Sequence, residues 1–317
     1  MKLLLLACAS AGLAAALGCS AAGSTFMTGA GATGGAGSGT GGMANLGGGF
    51  ATVGTGAGGG LGQGCTEAAT LVYVLTTAGD IYSFAPDMKT FTYLATPNCA
   101  DPSLGANSMA IDRNVVAWIN YVAGDDSEGW IYRYDLVKKK CVGNPIQMPL
   151  GWERLGMGFS TDTAGGSSET LFVTATNGVF GLGKVDMSND SIIQMPGQFN
   201  GDTNLDGQNA ELTGTGDARL YGFFTTNPVR VAQIDKGTAK ILSDAKIAGV
   251  PTPGAWAFSF WGGSFYLYTS DGTQSSTVTK FDPTNGSVDT SYVPSSELNF
   301  TIDGAGVSTC APVVPPT

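Results

Sequence analysis

One short strand ending in aspartate recurs along this chain at nearly fixed intervals. The copies read IYRYD at 131–135, GKVD at 183–186, AQID at 232–235 and TKFD at 279–282, so successive aspartates (Asp135, Asp186, Asp235, Asp282) stand 51, 49 and 47 residues apart. An earlier copy, IYSF at 81–84 followed by Ala85-Pro86-Asp87, lies about one period before the second. Repeats of this length belong to solenoids, propellers or arrays. The segments between the markers are rich in Val, Ile, Phe, Tyr and Thr and are separated by Gly, Asn, Asp and Pro. That pattern predicts many short antiparallel strands, and strand content selects the propeller.

Each period parses into four strands. Innermost strands are expected at 108–111, 155–160, 210–215 and 255–260, and second strands at 115–121, 171–175, 220–224 and 265–268. The unit at 71–94 has the later strands but no innermost one, while NFTIDGAGVS at 299–308 is an innermost strand with nothing after it. Joining the two completes a fifth blade and removes an open sheet edge, a liability in any β protein. The expected fold is all-β: one propeller of five four-stranded blades over residues 65–312, closed by the C-terminal strand joining the first blade, with a tail at 313–317. A sixth blade would require the long loops to hide strands.

The cysteines fit that closure. Once Cys8 is discarded with a leader and Cys19 is committed elsewhere, Cys65, Cys99, Cys141 and Cys310 remain. An even set in an exported chain reads as disulfides. Cys310 follows the last strand and Cys65 precedes the first, so a closed ring brings them together, and Cys99 pairs with Cys141 by elimination. Their spacing matches neither a zinc ribbon nor a Cys-x-x-Cys redox site.

The N-terminal region has a different character. Lys2 precedes an apolar run that ends at Ala16-Leu17-Gly18-Cys19, and no further charge occurs before Glu67. A positive start followed by a short apolar core predicts a secretory signal, too short and too interrupted for a membrane span. The ending is similar to the bacterial lipobox, although the third residue before the cysteine is Ala16 where Leu is preferred. The expectation is a signal over residues 1–18, lipid on Cys19, and anchorage in the cell envelope, at the outer membrane. Residues 20–64 hold 19 glycines. Such a segment cannot bury enough apolar surface to offset the entropy of ordering it, so 19–64 reads as a lipidated cysteine and tether.

Composition excludes whole classes of chemistry. The chain contains no histidine, which removes Ser-His-Asp and Cys-His catalysis and every His-ligated metal or haem. With 25 acids against 15 bases it carries a formal charge of −10. Its one basic run, Lys138-Lys139-Lys140, reads as a solvated turn, so no nucleic-acid partner is expected.

Two features could carry a site. Asp202, Asn204, Asp206 and Gln208 alternate oxygen ligands around Gly207, like the opening of a calcium loop, but position twelve is Thr213, and Glu211 would need a different geometry. The competing reading is a turn rich in Asp and Asn. Second, on a propeller the loops after second and outer strands gather on one face. That face is expected to hold Asp101, Asp125, Asp126, Glu128, Trp152, Glu153, the loop from Asp202 to Asp206, Asp271 and Glu297, acids around an aromatic ring that would suit a metal, a cation or a stacked sugar.

The segments GMGF at 156–159, ETLFV at 169–173, AELTGTGDARLYGFF at 210–224, VAQIDK at 231–236, AWAFSFWGGSFYLY at 255–268 and GAGVSTCAP at 304–312 resemble those of myxobacterial-type secreted lipoproteins with a β-propeller-like domain. The resemblance implies an exported, tethered propeller and carries over no catalytic residue. The expected function is therefore a binding or interaction module, monomeric and anchored to a membrane, that takes a protein, glycan or small ligand. The alternatives are a carboxylate- or calcium-dependent propeller enzyme acting on a carbohydrate or lactone, and a purely structural envelope protein.

Overall fold

A computed structural model of the chain describes residues 64–175, 180–195, 199 and 205–316. The leader, Cys19 and the Gly-rich segment lie outside the described residues. No described helix is long and apolar enough to cross a membrane.

The strands fall into five antiparallel sheets. Blade 1 contains β1 (Val72–Thr76), β2 (Ile81–Ala85) and β3 (Thr90–Ala95). Blade 2 contains β4 (Leu104–Ile111), β5 (Val116–Ala123) and β6 (Gly129–Asp135), with an outer strand split into β7 (Lys140–Cys141) and β8 (Ile146–Gln147). Blade 3 runs through β9 (Leu155–Thr161), β10 (Glu169–Ala175), β11 (Leu182–Asp186) and β12 (Ser191–Gln194). Blade 4 runs through β13 (Ala210–Gly214), β14 (Leu220–Phe224), β15 (Arg230–Ile234) and β16 (Ile241–Lys246). Blade 5 contains β17 (Ala255–Trp261), β18 (Ser264–Ser270), β19 (Thr277–Asp282) and β20 (Ser287–Val293). The last strand, β21 (Ile302–Val307), returns to blade 1 and pairs antiparallel with β1, Val72 opposite Val307 and Leu75 opposite Gly304. The molecule is thus a five-bladed β-propeller whose first blade is built from both ends of the chain.

Alternation along each strand explains the assembly. Successive side chains point to opposite faces, so a strand between two neighbours must be apolar on both. On β1, Val72 and Val74 join a cluster with Ala257 and Tyr268 of blade 5, while Tyr73 and Leu75 join Ile111 and Ile119 of blade 2. The same division recurs at the other junctions, which are filled by Trp118 with Phe159, by Phe172 with Leu212, and by Phe223 with Phe258. Burying each such aromatic side chain contributes about 1.5–3 kcal/mol.

The inner strands approach one another closely. A Cβ on Gly156 would collide with the carbonyl oxygen of Ala210 on the neighbouring inner strand. Glycine is what lets the two backbones meet at the centre.

Cys65 is bonded to Cys310 across the seam, with Cα atoms 5.7 Å apart and a sequence separation of 245. Closing a loop of that size stabilises the fold by up to about 5 kcal/mol in the chain-entropy account. Cys99 is bonded to Cys141, which fastens the connection between blades 1 and 2 to the outer edge of blade 2.

Two boundaries differ from the sequence reading. The inner strand of blade 2 begins at Leu104, well before 108, and that of blade 1 is confined to Ile302–Val307. In blade 2 the cause is a bulge: Ala106 faces Tyr121 and Ser108 faces Asn120, leaving Asn107 as an extra residue that breaks the alternation.

Candidate functional site

The recurring aspartates turn out to be turn-builders. Asp135 accepts hydrogen bonds from the backbone N–H groups of Val137 (3.1 Å) and Lys138 (2.7 Å), Asp235 from those of Gly237 and Thr238 (both 2.9 Å), and Asp282 from that of Thr284 (2.8 Å). Asp186 does the same with Ser188 (2.9 Å). Each ends a third strand and folds the chain back toward the outer one. Lys138, Lys139 and Lys140 are exposed around one such turn, with Lys139 in the left-handed region at φ 52°.

Most acids expected on the ligand face also serve their own loops. Asp101 accepts from Ser103, Asp125 from Ser127, and Asp271 from the backbone N–H and hydroxyl of Thr273 (2.8 and 2.9 Å) and the N–H of Gln274 (3.1 Å). These donors hold the Asp101 and Asp271 carboxyls below the ordinary carboxylate range, as the Ser127 hydroxyl and N–H do for Asp125. Glu128 accepts from the Trp130 indole (3.0 Å), and Glu153 from the Gly151 N–H (2.8 Å). Glu297 closes a 3-10 turn, Ser295–Glu297.

Trp152 requires a correction. It is only 5% exposed, stacked on Phe180 with ring centroids 5.5 Å apart and packed among residues of blades 2 and 3. The loop that carries it folds back into the junction, so the ring offers no face for a sugar.

Of the calcium-loop residues, Asp202 and Asn204 lie outside the described residues. Asp206 is exposed, and the backbone N–H of Gln208 donates to the Leu205 carbonyl (3.2 Å). Glu211 belongs to the inner strand β13, where its carboxyl accepts from Ser108 and Met157 of other inner strands. Among the described residues no group of three acids or cysteines is placed to hold a metal.

What the structure brings together instead is a polar cluster where the inner strands begin. Arg154, just ahead of β9, pairs with Asp126 (2.8 Å) and donates to Asn107 Oδ1 (2.6 Å). Asn107 Nδ2 donates to Asn120 Oδ1 (2.9 Å) and to the Leu155 carbonyl (2.8 Å). Asn120, fully buried, accepts from the Leu155 N–H (3.0 Å) and donates to the Glu153 (3.0 Å) and Trp130 (3.3 Å) carbonyls. Gly129 makes this possible, since a Cβ there would collide with the Glu153 carbonyl.

Two carboxyls lie beside this network. Glu211, 3% exposed, accepts from the Ser108 hydroxyl (3.0 Å) and the Met157 N–H (3.4 Å), and burial pushes it well above the ordinary range. Asp303 is half-buried and makes no hydrogen bond to a described residue. Burial raises it to about 6, against the lowering pull of Arg154. On β21 it is an extra residue, because Leu75 faces Gly304 and Thr76 faces Ile302. Asn107 and Asp303 thus both sit on bulges, devices that re-aim a side chain. Neither was singled out from the sequence, nor were Arg154 and Asn120. The available signal was a polar residue inside strands otherwise made of small and apolar ones: ANS at 106–108, AEL at 210–212 and IDG at 302–304.

At the seam, on the opposite face, a cleft of about 510 Å³ is lined by Arg113, Asp217, Trp261, the Cys65–Cys310 bridge and Pro315. Its polar groups knit blades together. The Arg113 backbone N–H donates to Glu169 (2.8 Å), its guanidinium to the Thr309 hydroxyl (3.1 Å), and that hydroxyl to Glu169 (2.6 Å).

No family model and no curated protein matches the chain. Among solved structures it is similar to a protein of unknown function from Bacteroides caccae, at 12% identity and a TM-score of 0.43 over 74% of this chain and 84% of that one. It is also similar to the calcium-binding protein regucalcin from Agrobacterium tumefaciens (12%, 0.42, 67% of each chain). A luciferin-regenerating enzyme is a third (14%, 0.44, 66% of this chain and 84% of that one). These likenesses concern the fold alone.

Proposed function

We propose that the protein is an exported lipoprotein, tethered through Cys19, whose propeller is a binding module with its receptor surface at the mouth formed by Asn107, Asp126, Arg154 and Asp303. The observation that carries this reading is the pair of bulges that turn Asn107 and Asp303 toward one mouth. Asp303 has a carboxylate with no hydrogen bond to a described residue, while Arg154 is committed to Asp126 and Asn107. The mouth therefore suits a ligand that presents a cation or a hydrogen-bond donor.

An enzyme using Glu211 and Asp303 as acid and base is the second reading. It is disfavoured by the burial of Glu211, because a general acid must reach the substrate's reacting atom. Two measurements test the proposal. Cys19→Ser moves the protein from the membrane to the soluble fraction. In a thermal-shift screen of amines, hits at the mouth are lost in Asp303→Asn and weaken as pH falls below about 6, where Asp303 takes up a proton. Hits indifferent to both the substitution and pH refute the mouth. Hydrolysis of a chromogenic glycoside or lactone that is abolished by Glu211→Gln establishes the enzyme instead.

A further inference from the structure

Between blades 4 and 5 the apolar packing stops short. On the blade-4 side of β18 the row reads Phe265, Leu267, Thr269, and on β19 it reads Phe281, Thr279, Thr277, by the period-2 alternation of strands. Thr269 and Thr277 are directly opposed across the two strands. The phenylalanines and the leucine meet Phe258 and Phe223, but the threonines face a cleft of about 400 Å³, within the range of small-ligand pockets.

A register irregularity accompanies the opening. Val278 faces Val293 and Lys280 faces Asp289, so β20 sets residues 290–292 against Thr279 alone. The opposite wall is the connection that ends blade 4, stiffened by Pro251 and Pro253.

Four threonine hydroxyls in this cleft are uncommitted, while those of Ser270 and Thr252 donate to the Gln274 and Thr226 carbonyls. Thr279 is 1% exposed and Thr269 8%, yet neither makes a hydrogen bond through its side chain to any described residue, and the same holds for Thr277 and Thr290. Across a sheet, opposed threonines ordinarily bond each other or a neighbour. Here the row is repeated and opens into a cavity.

The chemistry of the lining selects the occupant. An apolar ligand would leave the four threonine hydroxyls unpaired. An anion would meet no lysine or arginine, and a cation only Asp271, one oxygen of which already holds the Thr273 and Gln274 N–H groups. Hydroxyls that both donate and accept match a ligand made of hydroxyls. We propose that this cleft binds a neutral sugar residue, either free or at the end of a glycan, through Thr269, Thr277, Thr279 and Thr290. The site is separate from the mouth at Asp303 and does not depend on it.

The test uses the full chain, with glucose, galactose, mannose, N-acetylglucosamine and oligosaccharides ending in each, read by saturation-transfer NMR and thermal shift. At least one sugar binds, and the oligosaccharide arm tells a free sugar from a terminal one. Thr279→Val and Thr269→Val keep the shape, weaken binding about three- to tenfold per lost hydrogen bond, and raise the melting temperature of the free protein. Thr290→Val, on the exposed rim, weakens binding without touching the core and serves if the buried variants misfold. Asp303→Asn leaves sugar binding unchanged. The proposal is overturned if no sugar binds or if binding survives the valine variants. Binding lost in Asp303→Asn but kept in Thr279→Val also overturns it, and would leave the mouth reading standing.

Discussion

The junction between blades 2 and 3 and the junction between blades 4 and 5 are made by the same rule and end differently. In the first, Trp118 packs edge-on to Phe159, and Asn120 lies between the strands with both ends of its amide engaged. In the second, the aromatic row gives out and threonine hydroxyls are left facing space. Strand alternation decides which residues enter a junction, but the pairing of polar atoms decides whether it is sealed. A satisfied buried amide specifies packing, whereas an unpaired hydroxyl that opens onto a cleft marks where something else can dock.

The comparison is broken most severely at Asn120. Asn120→Ala removes the partners of the Leu155 N–H and the Glu153 carbonyl and is expected to destabilise the protein by about 3 kcal/mol in urea denaturation. A loss below about 1 kcal/mol would mean the sealed junction is no better satisfied than the open one.

Asp303 comes next. Its ordinary value of 3.8 is raised to about 6 in the fold, so between those pH values the folded protein holds a proton that the unfolded chain has released. Its effect on stability is therefore absent below about pH 4, and stability falls as pH rises through about 6, by about 2 kcal/mol after allowance for the open mouth. Asp303→Asn flattens that part of the profile, which urea midpoints at pH 4, 6 and 8 would record. An unchanged slope would place the titration elsewhere.

The smallest effect belongs to the outer turns. Asp282→Ala removes the acceptor for one N–H in an exposed turn and should cost about 0.5 kcal/mol, far less than the change at Asn120, as thermal unfolding would show.

The repeat and the closure were legible because they are written in local chemistry. An aspartate that caps a turn must follow its strand in every blade, and an orphan strand at each end of the chain has one economical partner. Asn107, Arg154, Glu211 and Asp303 were not legible as a group, because they come from four different blades and two of them occupy bulges that interrupt the pattern. Trp152 was misread for a related reason: a tryptophan in a loop between strands gives no sign of whether that loop lies outward or folds back onto Phe180. The threonine row was hidden by ordinary strand propensity, since threonine is expected in any strand.

The pairing of β1 with β21 also fixes the timing of assembly. A chain delivered from its N-terminus lays down β1, β2 and β3 first, yet that sheet stays one strand short until the strands of the other four blades have been made. The earliest blade begun is the latest finished, so the ring cannot lock before Ile302–Val307 has been made, and removing that strand would leave β1 without its inner partner.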